Sequence, residues 1–112
     1  MDTITRRISP DGKLALAVVR GEAGEIAVGF EGGDWHTHPN ILAGWLNVGE
    51  EQAVGDFIAR LERDELPIIW STDGGQTVDP WVSDNLEATV AAYGEHNTIL
   101  RSWSGAPVVW RA

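Results

Sequence analysis

The period of the hydrophobic residues changes near Glu50, and no other feature restricts the fold of this chain as strongly. Before that point, hydrophobic and polar residues alternate in short runs, which is typical of half-buried strands. After it, hydrophobic residues recur every three or four positions and form one helical stripe of Ala53, Val54, Phe57, Ile58 and Leu61. An amphipathic helix must bury its stripe against other elements, so the pattern predicts an α+β fold.

The N-terminal third is predicted to be an antiparallel meander. Strands are expected over residues 3–9, 13–20 and 25–30, separated by turns at Pro10-Asp11-Gly12 and at 21–24. Both faces of the second strand are apolar, which predicts a central position with cover on both sides.

The main helix is predicted to begin at Glu50 and to end before Pro67. Asn47 and Glu50 have the spacing of a capping box, with Asn in place of the usual Ser or Thr. Asp56 and Arg60 stand four residues apart in the favourable order for an ion pair. The apolar segment 41–46 is expected to form a helical turn or two.

The C-terminal part is predicted to return to strands at 68–71 and 77–83, around a turn at Asp73-Gly74-Gly75. Pro80 predicts an edge strand or a bulge. Residues 84–93 are compatible with a helix capped by Asp84, a strand or a loop. Residues 98–103 and 108–111 are expected to form a closing hairpin. The chain is thus interpreted as one domain, residues 1–112, with an antiparallel sheet of about six or seven strands and one main amphipathic helix packed on a face.

The net charge of −9 restricts the partners. Residues 1–20 carry four basic and two acidic groups, 21–65 carry two and ten, and 66–112 carry two and five. Such a surface repels phosphate backbones and anionic membranes, and it attracts a basic protein. No apolar run approaches the roughly 20 residues that cross a bilayer. We therefore expect a cytoplasmic protein that binds neither nucleic acid nor membrane.

One short motif points to metal chemistry. On a strand, Asp34, His36 and His38 would lie on one face and could share a divalent ion such as zinc. Alternatively, one histidine bonds the backbone in a turn while the other is exposed. Cysteine is absent, so neither a thiolate ligand nor a thiol nucleophile is available.

The segment from Trp35 to Pro39 resembles the His-x-His-Pro core of the JAMM metalloproteases, which place a serine and an aspartate farther along. Eight and eleven positions beyond His38, this chain has Leu46 and Gly49 instead. No serine stands in a Gly-x-Ser-x-Gly context either. No catalytic residue is therefore predicted, and protein binding is favoured over a small metal-dependent hydrolase that uses the Asp34, His36 and His38 cluster.

Six tryptophans suggest a contact surface as well as a core. Trp35 and Trp81 stand beside turn and proline signals and have acidic neighbours, so we predict them to be surface anchors. The predicted partner-binding residues are Asp34, Trp35, His36, His38, Asp73, Asp79 and Trp81.

In scale, charge and α+β layout, and in its GFEGGDWHTHPNILA stretch, the chain resembles the small acidic immunity proteins of bacterial polymorphic toxin systems. The resemblance implies that the protein occludes a basic toxin domain, such as a nuclease or a deaminase. It carries over no individual functional residue, and it implies no cofactor.

Overall fold

Three helices and two antiparallel sheets form the fold in a computed structural model, which describes residues 2–73, 76–94 and 99–108. For residues 71–73 and 76–78 it describes the backbone alone. The predicted α+β class is confirmed. The strands described here form two sheets of four strands each, where the sequence suggested one sheet of six or seven.

Sheet 1 is the predicted meander extended by one short strand. Its strands follow chain order: β1 (Asp2–Ile8), β2 (Ala15–Arg20), β3 (Ile26–Phe30) and β4 (His36–Thr37). The central position of β2 is confirmed, since it pairs with both β1 and β3. Leu14, Leu16 and Val18 are buried, whereas the alternate residues Ala15, Ala17 and Val19 are only half-buried. The expected cover on both faces is therefore partial.

Sheet 2 contains β5 (Ile68–Asp73), β6 (Gln76–Trp81), β7 (Leu100–Arg101) and β8 (Pro107–Val108), in the order β6-β5-β7-β8. Both predictions from Pro80 are confirmed. Strand β6 lies at the edge of the sheet, and its register shifts beside Asp79 and Pro80. The turn residues Gly74 and Gly75 and the hairpin residues 98 and 109–111 lie outside the described part of the chain.

The helices are α1 (Pro39–Leu46), α2 (Glu50–Glu62) and α3 (Leu86–Tyr93). The predicted α2 and its Asp56–Arg60 ion pair, at 3.1 Å, are confirmed. The capping box is wrong. Gly49 precedes α2 with no side-chain cap, because Asn47 ends α1 in the left-handed conformation at φ 57°.

The open question over residues 84–93 is resolved as helix α3. Its N-terminal cap is Asn85, whose side chain accepts a hydrogen bond from the Ala88 N–H at 3.1 Å, and not the predicted Asp84. None of the helices in the described ranges is long and apolar enough to cross a membrane.

Among the described residues, one core cluster joins the two sheets to helices α1 and α2. Phe57 and Leu61 of α2 are fully buried, which confirms that the helical stripe faces inward. The other buried members come from α2 itself, from sheet 1 with its loops, from α1 and from sheet 2 with its loops: Leu14, Leu16, Val18, Val28, Phe30, Leu42, Leu46, Ala53, Ile58, Ile68, Val82 and Trp103.

A buried ion pair links the β1–β2 turn to the C-terminal hairpin. The Arg101 side chain is 5% exposed, and its Nη2 lies 2.9 Å from Oδ2 of Asp11. Arg101 also donates to the carbonyl oxygens of Ser102 and Trp103. Asp11 in turn accepts from the hydroxyl of Ser9 at 2.6 Å. The pair thus ties together residues that are far apart in sequence.

This pair makes folding sensitive to acid. Burial of Asp11 opposes ionisation, but hydrogen bonds from Arg101 and Ser9 outweigh it and lower the pKa of Asp11 to about 2. The unfolded carboxyl titrates near 4, so the stabilisation is present above that pH and is lost as the pH falls through 2. We expect the lowered pKa of Asp11 to contribute about 1–2 kcal/mol to the free energy of unfolding. This value is reduced because the Asp11 side chain is partly exposed to solvent. The stability gap between the wild type and Asp11→Asn should shrink by that amount between pH 5 and pH 2.

At Gly55, a substitution is expected to stabilise the protein. It lies in the interior of α2 on the exposed face, and an added Cβ would meet no atom within 4 Å. We expect Gly55→Ala to raise the free energy of unfolding by about 0.5–1 kcal/mol, because alanine loses less backbone entropy in a helix. Urea unfolding gives the value. Gly29→Ala is the matched control and should destabilise, since its Cβ would lie 2.5 Å from the Trp35 carbonyl oxygen.

Candidate functional site

The loop between β3 and β4 brings the two sheets into contact. Gly32 turns the chain with φ 86°, a conformation that side chains rarely adopt. Gly33 then lies against the bulge of β6, where its Cβ would be 3.4 Å from Cα of Asp79 and from Cδ of Pro80. The start of β4 is thereby held close to the end of β6.

Two tryptophans are held in place by the buried Phe57. The ring centroids of Trp35 and Phe57 are 6.4 Å apart, and those of Trp45 and Phe57 are 6.0 Å apart. Trp35 also packs on Phe30 at 5.8 Å. Both indoles remain half-buried, so each has one side in the core and another at the surface.

These two rings and Trp81 line a crevice with a volume of 210 Å³, here called the tryptophan crevice. Its other lining residues include the apolar Ile41 and Val82 and the polar His36, Ser83 and Asp84. Ile41 is 52% exposed, and both His36 and Asp84 are exposed. The crevice therefore combines aromatic walls with exposed residues, of which His36 and Asp84 are polar and Ile41 is apolar.

A shallower concavity lies on the outer face of sheet 1, on the other side of Trp35 and His36. Its floor is made of small residues, Ala17, Val19, Ala27 and Gly29, and its volume is 450 Å³. Asp34 and Glu31 border it, and Glu31 forms a two-pronged ion pair with Arg6 at 2.6 and 2.8 Å.

The two histidines are neighbours, but they do not stand side by side on a strand. Strand β4 ends at Thr37, and Pro39 begins α1, so His38 becomes the residue that precedes the helix. Its Nδ1–H donates to the Ile26 carbonyl at 2.8 Å. The His36 ring is exposed, with its centroid 5.1 Å from that of His38 and nearly perpendicular to it.

His38 thus bonds the backbone while His36 is exposed, as in the alternative prediction, although Nδ1 of His36 also lies 3.3 Å from the Asp34 carbonyl oxygen. Within the described residues, no group of three or more His, Asp or Glu side chains is arranged to hold a metal ion. The structure therefore does not bring Asp34, His36 and His38 together as the zinc-binding set that their spacing predicts. The reason is the short strand, because helix α1 begins before the alternation reaches His38.

Most of the predicted contact residues lie in or beside the tryptophan crevice, and Asp73 lies apart from them. Trp35, His36 and Trp81 line the tryptophan crevice, and Asp34 lies beside it at the edge of the outer concavity. Asp79 is exposed at the bulge with φ 48°. Asp73 pairs with Gln76 at the far end of the hairpin, whereas Trp81 pairs with Ile69. Asp73 is therefore distant from the crevice along β5.

Six residues that line the crevice are not among the predicted contacts: Thr37, Ile41, Trp45, Val82, Ser83 and Asp84. Ile41 and Trp45 are four residues apart on α1 and so share one face of that helix. The four-residue spacing in the sequence therefore indicates that Ile41 and Trp45 could belong to one surface. For Asp84, the sequence predicts only the role of a helix cap.

No protein-family model matches this chain, and neither a curated protein nor a solved structure matches it.

Proposed function

We propose that this protein binds a basic protein partner, and that the partner is a toxin domain of the nuclease or deaminase type which it neutralises as an immunity protein. The tryptophan crevice is the observation that carries the proposal. Its three indole walls are only half-buried, although tryptophan is costly to expose. Tryptophan is enriched at the few positions that supply most of the binding energy in protein interfaces.

The crevice is built to bind with little reorganisation. Phe57 backs both Trp35 and Trp45, so these rings already have fixed positions in the free protein. A side chain that becomes ordered only on association costs roughly 0.5–1.5 kcal/mol. Avoiding that cost for two large rings favours tight binding.

The charge of the chain indicates what kind of partner fits. Residues 21–65 carry ten acidic and two basic groups, and this segment supplies two of the crevice walls, Trp35 and Trp45. An enzyme that acts on nucleic acid needs a basic surface to attract phosphates. An acidic protein would be steered to that same surface and would cover it, which blocks the substrate without any chemistry.

The proposal predicts a toxin-like reading frame beside the gene for this chain, and the absence of one would count against it. The test mixes the domain that this frame encodes with the full chain. We expect a tight complex that abolishes the toxin activity. Trp81→Ala should raise the dissociation constant by about 30-fold or more, mainly through faster dissociation. Ile4→Ala is the matched control. It removes an exposed hydrophobic residue of β1, at the opposite edge of sheet 1, and should change the constant less than about 3-fold.

The salt dependence of binding separates electrostatic steering from the contact that the crevice makes. Raising ionic strength from about 50 to about 300 mM should slow association by roughly 10-fold or more in wild type and Trp81→Ala alike, because steering is screened. The absence of any complex with that domain would refute the proposal. Equal losses in Ile4→Ala and Trp81→Ala would refute the crevice as the binding site.

A further inference from the structure

The size of the tryptophan crevice limits what can enter it. Its 210 Å³ is smaller than the roughly 300–1,000 Å³ of pockets that bind whole small molecules. A crevice of this size has room for one protruding side chain of a partner, and not for a helix or a strand.

The walls select the chemistry of that side chain. Three indoles offer aromatic faces and edges, and Trp35 and Trp45 cannot easily turn away because both pack on Phe57. Indole faces attract cations more strongly than any other aromatic side chain does. A neutral aliphatic side chain would also fit, but it would gain nothing from the charge of the rim.

The rim is acidic. Asp84 lines the crevice and is exposed. Two further exposed aspartates do not line the crevice: Asp79 lies at the neighbouring bulge, and Asp34 directly precedes the wall residue Trp35. Among the described residues that line the crevice, none is lysine or arginine. A cation that enters the crevice therefore meets the Asp84 carboxylate, and no lysine or arginine from these residues.

We propose that the tryptophan crevice receives a single arginine side chain of the partner, with the guanidinium stacked on the indoles and paired with the Asp84 carboxylate. Guanidinium suits such a site better than ammonium does, because it is planar, stacks on aromatic faces and is more weakly hydrated. A basic toxin domain presents arginine on the surface that binds phosphate, so this inference rests on the proposed function and names the contact at its centre.

The experiment titrates N-acetyl-arginine amide into the full chain, labelled with ¹⁵N, and follows the six indole N–H signals. We expect saturable shifts confined to Trp35, Trp45 and Trp81, with a dissociation constant on the order of 10 mM. N-acetyl-citrulline amide, which has the same shape without the charge, should bind at least about 10-fold more weakly. The lysine amide should be weaker than the arginine amide.

Two variants locate the site. Asp84→Asn should weaken arginine binding by about 3-fold or more, whereas Asp2→Asn, the same change on β1, should leave it unchanged. Trp81→Ala should abolish the shifts of the other two indoles, and its spectrum shows whether it remains folded. Equal binding of citrulline and arginine, or equal effects of Asp84→Asn and Asp2→Asn, would overturn the inference.

The outcomes separate this inference from the function on which it rests. If the toxin domain binds in a Trp81-dependent way but arginine amide causes no indole shift, the arginine contact is wrong and the immunity proposal stands. If arginine amide binds as described but no complex forms with the toxin domain, the crevice chemistry stands and the immunity proposal fails.

Discussion

Replacing Phe57 by alanine should lower the free energy of unfolding by about 4 kcal/mol, the largest single effect that we expect in this protein. Phe57 is fully buried and belongs to the core cluster. Truncation removes its contacts and leaves a cavity that the surrounding sheet and helices can fill only in part. Urea unfolding of wild type and variant, with comparison of the slopes, measures the loss.

The same substitution should also loosen the tryptophan crevice, since Trp35 and Trp45 both pack on the Phe57 ring. Val54→Ala is the control on the same helix. Val54 is only half-buried, so we expect a cost of about 1 kcal/mol and no change in the indole signals. A loss below about 2 kcal/mol in Phe57→Ala would mean that the site collapses around the missing ring and that Phe57 does not hold the walls.

The second large effect concerns the buried ion pair. Asp11→Ala should cost about 3 kcal/mol, because it leaves the Arg101 guanidinium buried with only carbonyl partners. Asp11 is 27% exposed, which keeps the value at the lower end of the range for buried pairs. Chemical unfolding at pH 7 gives the number.

Two comparisons show whether the loss of stability in Asp11→Ala comes from the unpaired charge of Arg101. The double variant Asp11→Ala/Arg101→Met should be more stable than Asp11→Ala alone, since it removes the unpaired charge. Glu31→Ala breaks the Arg6 pair, which is exposed on both sides, and should cost less than about 1 kcal/mol. A double variant less stable than Asp11→Ala would show that Arg101 contributes mainly through packing and its carbonyl contacts.

Local pattern predicted the elements of this fold well. The stripe of α2, the meander of sheet 1 and the irregularity at Pro80 each follow from the spacing or conformation of a few neighbouring residues. The division into two sheets was not predictable in this way. The alternation of hydrophobic and polar residues indicates which face of a strand is buried. Strand β5 pairs with β7, however, and β6 and α3 separate these two strands in sequence, so this pairing depends on contacts between distant parts of the chain.

Errors at element ends have a similar cause. Asparagine favours both the start of a helix and the left-handed residue that ends one, so Asn47 was compatible with either role. His36 and His38 share a face only if the strand continues, and Pro39 stops it. The crevice combines β4, α1 and the end of β6, which no local pattern joins. The sequence predicts Trp35 and Trp81, which line the crevice, as contact residues, but it does not predict the lining residues Trp45 and Asp84.

The contact of Gly33 with Asp79 and Pro80 has a consequence for how the molecule would respond to a ligand. The crevice lies across the junction of the two sheets, so whatever fills it contacts both. A ligand that binds only the closed arrangement opposes local opening at that junction by RT ln(1 + [L]/Kd), about 2.7 kcal/mol at a hundredfold excess over Kd. Backbone amides around His36 and Trp81 should then exchange with deuterium more slowly when a partner is bound, a readout that requires no knowledge of what the partner does.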